Sequence, residues 1–528
     1  MAYLVLDLPP GLYKNGTERQ ARGRWYDANL IRFYEGTIRP LGGWRAKTDT
    51  TLVGKGRACF AWRDNELVVW VAVGTEKRLY AVTRSGYVYD ITPSGYTPGF
   101  ADASAAPGYG GGTYGSSDYG SYAGGSPPVA RGYGGGNYGV GVYSATPPDT
   151  ASVQPATVWS FDTWGEDLIG CTPDDGVIYQ WAPNTSVRAA PLANAPSASG
   201  VVVSDQRILF ALGAGGVPRR VQWSDQDNNT VWTPAATNQA GSFDLQTAGR
   251  LLRGLRWRGS VLLLTDIDAH LATYTADVFV YGFQKIGDGC GAISAGCAAS
   301  LGDFVVWMGD GAFYTYNGVI EKLACDVSDY VFGSLNFAQG SKVSCFVNSA
   351  FSEITWFYPS EASTEIDSYV TWNYREQHWT VGALARLSGI DRGPMTYPLL
   401  VGADGFVYEH EVGFSWPGSA NPYLESGPFE FGAMPFMPGA PPIAGNGDLV
   451  MHARQLLPDD KTAGDVSVTF KTKFYPDGPE TVFGPYAVSQ VTDVRFSGRQ
   501  LRLRYDGVNS DDWRVGSPRL DVIAGGRR

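Results

Sequence analysis

The residues of this chain best suited to chemistry by type and spacing are Asp266, Asp268 and His270, which alternate in the stretch TDIDAH. On a β-strand the three would share one face, as a metal-binding or hydrolytic triplet requires. The competing reading is the polar end of a hairpin, and the apolar run VLLL (261–264) just before it favours that reading. Trp164 with Asp174 and Asp175, or Glu353 with Glu361, would supply the carboxylate pair of a glycosidase. Their spacing does not set them apart from solvated loop charge. Four histidines (His270, His378, His410, His452) leave little material for acid–base work. Neither a G-x-S-x-G elbow nor a locally supported Cys–His arrangement occurs. The tract GYGGGTYG (108–115), repeated as GYGGGNYG (132–139), lacks the Lys-Ser/Thr of a P-loop. The six cysteines are sparse and lack metal-ligand spacing, although Cys290 and Cys297 form a C-x6-C pair; reduced thiols are the expectation. No catalytic residue, metal or cofactor is expected.

Elements that could position such residues are short strands. With 68 Gly, 30 Tyr and 16 Trp in 528 residues, the composition favours strands joined by tight turns, because Gly permits turn dihedrals and aromatics fit pleated surfaces. ELVVWVAV (66–73), RILFAL (207–212), VLLLTD (261–266) and DFVVWMG (303–309) are apolar runs bounded by turn residues, and helical periodicity is almost absent. A small motif, Gly-x-(Val/Ile/Phe)-Tyr, begins at Gly86, Gly176, Gly311 and Gly405. Asp175, Asp310 and Asp404 precede the last three, which is the signature of a hairpin turn. The intervals of 90, 135 and 94 residues approximate two, three and two multiples of the roughly 40–50 residues in one propeller blade. Alternatively, the first is one blade plus the Gly/Tyr insertion. The cluster SDQDNNTVW (224–232) spaces Asp225, Asp227 and Asn229 like the start of a calcium loop, without the Gly and distal Glu of an EF-hand. It is similar to the Asp-box hairpins of sialidase-type propellers, which implies a turn-building role.

The fold class read from these patterns is all-β. It comprises a β-propeller of six or seven blades with an extended N-terminal arm, a Gly/Tyr-rich insertion and a C-terminal antiparallel β domain. The arm covers 1–50, the propeller 51–420 with the insertion at 101–150, a Pro/Gly linker 421–447, and a sandwich-like domain 448–528. A stack of β-sandwiches is the alternative. No run approaches the roughly 20 apolar residues of a membrane helix, and the start lacks the basic n-region of a secretory signal.

Charge is unevenly spread. Residues 1–50 and 490–528 each carry eight Lys/Arg against five Asp/Glu, which leaves −17 on the middle of a chain whose net charge is −11. A protein that grips DNA phosphates should be basic, so an acidic body argues against gripping and suits a surface along which DNA slides. In VRFSGRQLRLRYDG, Arg502 and Arg504 share one strand face, with Leu501, Leu503 and Tyr505 on the other. Arg495, Arg499, Arg514 and Arg519 lie nearby. Such a stripe can touch phosphates or pair with carboxylates of a neighbouring subunit; the acidic middle favours pairing. Tyr109, Tyr114, Tyr133 and Tyr138 of the insertion are further candidate subunit contacts.

Four segments carry a resemblance: NGTERQARGRWYDANLIRFYEGTIRPLGGW (15–44), QWSDQDNNTVWTPAATNQAGSFDL (222–245), WMGDGAFYTYNG (307–318) and WRVGSPRLDV (513–522). Together they resemble tail nozzle or hub (stabilisation-type) proteins of short-tailed double-stranded DNA phages. The resemblance implies a non-enzymatic virion protein, made in the host cytoplasm, that forms a ring, usually a homo-hexamer, below the tail adaptor. Tail fibre or needle proteins would be its other neighbours. Its bore would retain DNA and pass it during ejection without sequence-specific binding. A receptor- or glycan-binding propeller on a phage tail is the alternative function.

Overall fold

The computed structural model describes residues 2–105, 153–277, 279–430, 447–459, 461, 466–507 and 511–526. Along residues 58–410, six four-stranded antiparallel sheets and three strands of a seventh follow one another among the described residues, with sequential strands pairing in each. Blade 1 spans 58–90, blade 2 160–191, blade 3 200–244, blade 4 251–288, blade 5 298–322, blade 6 344–383 and blade 7 386–410. The first strands contact one another in order, and blade 7 returns to blade 1. The body is a seven-bladed β-propeller.

The outermost strand of blade 7 comes from the other end of the chain. Trp44–Ala46 pairs antiparallel with Val407–His410, setting Trp44 opposite His410. From that rim position the chain continues into Ala58–Arg63, the first strand of blade 1. One strand therefore clasps the last blade to the first.

The apolar runs are the second strands of blades 1, 3, 4 and 5: Val69–Gly74, Leu209–Leu212, Ser260–Thr265 and Val305–Met308. All their residues except Ser260 are buried, because blades pack face to face and cover both sides of an interior strand. Each fully buried Val or Leu there is worth about 1.5–3 kcal/mol. Tryptophans tie adjacent blades. The Trp62 indole donates to Glu166 O (2.9 Å), that of Trp159 to Thr75 O (2.8 Å) and that of Trp356 to Cys297 O (2.9 Å). Each ring fills the space between sheets while its N–H finds a carbonyl.

The repeated Gly motif resolves the blade count. Gly176, Gly311 and Gly405 (φ 70°, 100° and 88°) turn the second strand into the third in blades 2, 5 and 7, so 135 and 94 residues measure three blades and two. Gly86 (φ 97°) joins the third and fourth strands of blade 1, and the interval after it holds one blade step plus the insertion. The insertion leaves and returns through one short pairing, Ser104–Ala105 against Val153–Gln154. Tyr109, Tyr114, Tyr133 and Tyr138 lie outside the described residues.

The first 50 residues, expected as an extended arm, instead supply five strands: Ala2–Val5, Trp25–Asn29, Ile31–Tyr34, Thr37–Pro40 and Trp44–Ala46. Three of these pair with strands in the last quarter of the chain, so their local signal is weak. A β-sandwich stands beside the propeller. One sheet runs Ala2–Val5, Arg519–Ala524, Met451–Leu457, Thr492–Gly498. The other runs Trp25–Asn29, Tyr423–Ser426, Gln500–Gly507, Val466–Lys473, Thr481–Ala487, with Phe429–Glu430 also on Gln500–Gly507. The sandwich thus draws on residues before 448, including part of the expected linker; 431–446 lie outside the described residues. One continuous core joins the two bodies, running from Leu12, Trp25 and Phe33 through Trp307, Trp356 and Trp379 to Phe470, Leu503 and Tyr505.

Candidate functional site

Two members of the TDIDAH triplet meet. Asp268 opens the third strand of blade 4 and is buried. It accepts hydrogen bonds from Thr265 Oγ1 (2.6 Å) and Thr247 Oγ1 (2.9 Å), faces His270 Nε2 at 3.1 Å, and forms an ion pair with Lys285 (2.9 Å). Asp266 sits in the preceding turn and pairs instead with Arg250 (3.3 Å). Burial opposes ionisation of Asp268, but the bonds from Thr265, Lys285 and Thr247 outweigh it and hold the carboxyl below its usual range. Burial also lowers the His270 pKa, against the pull of Asp268. The carboxylate is saturated by the turn it builds, and no group of three or more metal-ligating side chains occurs among the described residues. Because unfolded His270 binds a proton more readily than folded His270, the folded state loses stability as pH falls below about 6.5. We expect His270→Gln to remove part of the stability lost between pH 7 and 5, read as the urea midpoint at each pH.

The other carboxylates also serve structure. Asp225 Oδ1 accepts from the backbone N–H of Gln226 (2.9 Å) and Gln239 (2.8 Å), while buried Trp232 donates to Asn229 O (2.7 Å). The Asp and Trp of this hairpin hold its long loop between Arg220–Trp223 and Gly241–Asp244. Asp174 accepts from Thr157, and Asp175 from Tyr179 of the same motif. Asp404 and Tyr408 repeat the latter bond in blade 7, at 2.5 Å. Glu361 is exposed, and Glu353 is buried in an ion pair of its own.

That ion pair belongs to a cluster that no local pattern marks. Arg32, on the strand Ile31–Tyr34, reaches Glu353 through Nε and Nη2 (both 2.7 Å) and Glu411 through Nη1 (3.1 Å) and Nη2 (2.6 Å). The Phe351 ring lies 3.5 Å from the guanidinium. Burial alone would lower the Arg32 pKa; the two carboxylates reverse that and keep it charged. Glu353 is pushed up by burial, whereas Glu411, despite burial, is held down by Arg32, the Gly42 N–H and Asn348. The N-terminal segment is thereby fastened between blades 6 and 7.

Of the six candidate interface arginines, Arg502, Arg504 and Arg514 find carboxylates in their own chain. Arg502 pairs with Glu18 (2.5 Å) and with buried Glu425, which also takes Lys471 (2.9 Å). Arg504 pairs with Asp506 (2.8 Å) and stacks over Tyr423 (3.9 Å). The acidic middle of the chain points to a neighbouring subunit, but the partners, Glu18 and Glu425, are distant residues of the same chain. Arg514 pairs with Asp512 at 3.5 Å, and Arg499 lies 5.5 Å from the Tyr475 ring. Arg495 and Arg519 are exposed, and Arg495 borders a groove with His452, Phe474 and Phe483.

The propeller axis opens at one end into a cavity of about 320 Å³. Small residues entering the inner strands line it, among them Ala156, Ser199, Ser294 and Ser341, together with Arg250.

No protein-family model and no curated protein match the chain. Among solved structures it is similar to virginiamycin B lyase from Staphylococcus aureus (5% identity, 68% of this chain and 97% of that one, TM-score 0.40). It is also similar to a streptogramin B lyase (8%, 70% and 96%, TM-score 0.38) and to exo-β-1,3-galactanase from Phanerochaete chrysosporium (9%, 92% and 100%, TM-score 0.29). No activity is carried from these proteins to this chain.

Proposed function

We propose that the chain is a structural virion protein, one subunit of a ring-forming nozzle or hub in a short-tailed phage through which double-stranded DNA is retained and ejected. The observation that supports this reading is where the four resembling segments lie. Segment 15–44 crosses from the sandwich to blade 7, and 513–522 meets it at the bridge between Ile38 and Val515. Segment 307–318 is a hairpin of blade 5 packed in the same core, and 222–245 is the hairpin of blade 3. The resemblance concentrates on the joint between two bodies and on turns, as suits a part that passes force between neighbours. Subunits of a ring meet through a heterologous interface that closes by rotation. Exposed Arg495 and Arg519, with Arg499, Arg514 and the insertion tyrosines, are the contacts we assign to it, set against an acidic body. That same acidity keeps phosphate contacts few, so DNA passes without friction.

Native mass spectrometry of the purified protein and proteomics of purified particles test the reading. The expected results are a closed oligomer, six-fold by the resemblance, and presence in virions. A strictly monomeric protein missing from particles overturns it. Charge reversal at Arg495 and Arg519 should shift the mass toward monomer without changing the melting temperature. The axial cavity lies within the roughly 300–1,000 Å³ of small-ligand sites, which supports a second reading, a receptor- or glycan-binding propeller. Glycan-array binding lost on substitution of exposed aromatics would favour that reading.

A further inference from the structure

Three buried hydrogen-bonding atoms without a protein partner belong to residues that line one chamber among the propeller's inner strands. They are Nε of Arg57, Nε of Arg253 and Oγ of Ser344. Their residues line a cavity of about 130 Å³ walled by the inner strands, with Cys59, Cys345 and Ser388. Arg57 and Ser344 are almost wholly buried, at 2% and 5% exposure. A buried group that can donate a hydrogen bond and lacks an acceptor costs about 1–3 kcal/mol, more if charged, so three around one space call for a shared acceptor.

The charges point the same way. Arg57 is neutralised by Glu365 through two 2.8 Å bonds, leaving only its Nε unused. Arg253 is different. Among the described residues it has no carboxylate partner, since the nearby Asp162 pairs with Arg256 at 3.0 Å. The two thiols in the wall do not supply a counter-charge, because burial raises both Cys59, to about 12, and Cys345. Arg253 therefore lacks an ion-pair partner of its own, with Asp162 offsetting its charge only from a distance, and an anion in the chamber would relieve that.

We propose that this chamber binds a small oxyanion of the phosphate or sulfate class, with Arg253 as counter-charge and Arg57 Nε and the Ser344 hydroxyl as hydrogen-bond donors. At ~30 Å³ per water, 130 Å³ corresponds to about four waters, which suits a free tetrahedral ion and shuts out a nucleotide or the phosphate of a DNA strand. Val158 lines both the chamber and the 320 Å³ cavity, whose lining also includes Arg250. The site stands on these contacts alone and does not depend on the tail reading.

The test is titration of the full-length protein with inorganic phosphate, and separately with sulfate, at constant ionic strength in a chloride background, followed by calorimetry and melting temperature. Wild type should show one saturable site per chain and a melting temperature that rises with occupancy. Arg253→Met should abolish the saturable component and melt no lower than wild type in chloride alone, because it removes a charge that has no ion-pair partner. Ser344→Ala, which keeps the fold question separate, should bind about ten-fold more weakly, as befits one lost bond to a charged acceptor. Stabilisation that never saturates, or that is equal in wild type and both variants, overturns the proposal. So does a high-resolution map from phosphate-equilibrated protein that shows only water in the chamber.

Discussion

Replacing Arg32 by Met should destabilise the protein by about 3–5 kcal/mol, as expected when one partner of a buried ion cluster is removed and the other charges stay behind. Glu353 and Glu411 would then face each other without the cation that bonds both, at the place where Ile31–Tyr34 wedges between blades 6 and 7. The pH dependence follows from the signs. In the variant the Glu353 carboxyl, already pushed above its usual range by burial, loses the opposing pull of Arg32 and rises further. A carboxyl whose folded pKa is raised favours the folded state below its unfolded pKa, and that advantage is lost as pH rises through the folded value. The deficit of Arg32→Met relative to wild type should therefore be largest at pH 7–8 and shrink toward pH 5. Urea midpoints at each pH measure it; a deficit that stays flat or grows on acidification contradicts the charge assignment. Glu353→Gln in the Arg32→Met background should recover part of the loss at pH 7, because an amide needs no counter-charge.

The second large effect is expected at the clasp. Trp44 is buried, stacks on His410 (centroids 5.1 Å apart, 24° between planes), and donates through its indole to Pro417 O at 3.3 Å. Arg386 packs on the same ring at 4.9 Å. Trp44→Ala removes the largest side chain of a three-residue strand and should cost about 3–5 kcal/mol. The loss should be uneven, because Trp44 closes the ring at one seam. Hydrogen exchange should speed up first in Leu399–Gly402, Val407–His410 and Ala58–Arg63, while Leu209–Leu212 of blade 3 keeps its protection. Uniform acceleration across all seven blades would mean that the strand is an ordinary rim strand and not a clasp.

Much of the propeller is legible in the sequence because its signals are local. A strand covered on both faces must be apolar at every position, so VWVAV (69–73) and VLLL stand out. An Asp-Gly pair with positive φ at Gly marks one hairpin in each of blades 2, 5 and 7. The strict alternation of Leu501, Leu503 and Tyr505 with Arg502 and Arg504 likewise reports a half-covered sheet, with the three apolar residues buried and the two arginines partly exposed. What stays hidden is everything completed at long range. The clasp is three residues long, and its register is set by a partner strand more than 360 residues away. No local pattern marks Arg32, which gains its role only when Glu353 and Glu411 are brought to it. For the same reason the stripe Arg502 and Arg504 suggests an external partner, although Glu18 and Glu425 meet it within the chain. The inner-strand chamber is the extreme case, since Arg57, Arg253 and Ser344 come from three different blades and share no motif. The triplet Asp266, Asp268, His270 fails in the opposite way: its spacing is suggestive, but the turn between Thr265 and Asp268 takes Asp266 out of register.

The central claim is that this chain is a ring-forming part of a phage tail. Cryo-electron microscopy of intact phage particles that contain the chain tests this proposal most directly. The account predicts a closed ring, six-fold by the resemblance, with the seven-bladed propeller and its sandwich fitted in each subunit around a bore that holds DNA density. Particles whose tail contains no density for this fold, or which carry it only as isolated peripheral copies away from the DNA path, would contradict it.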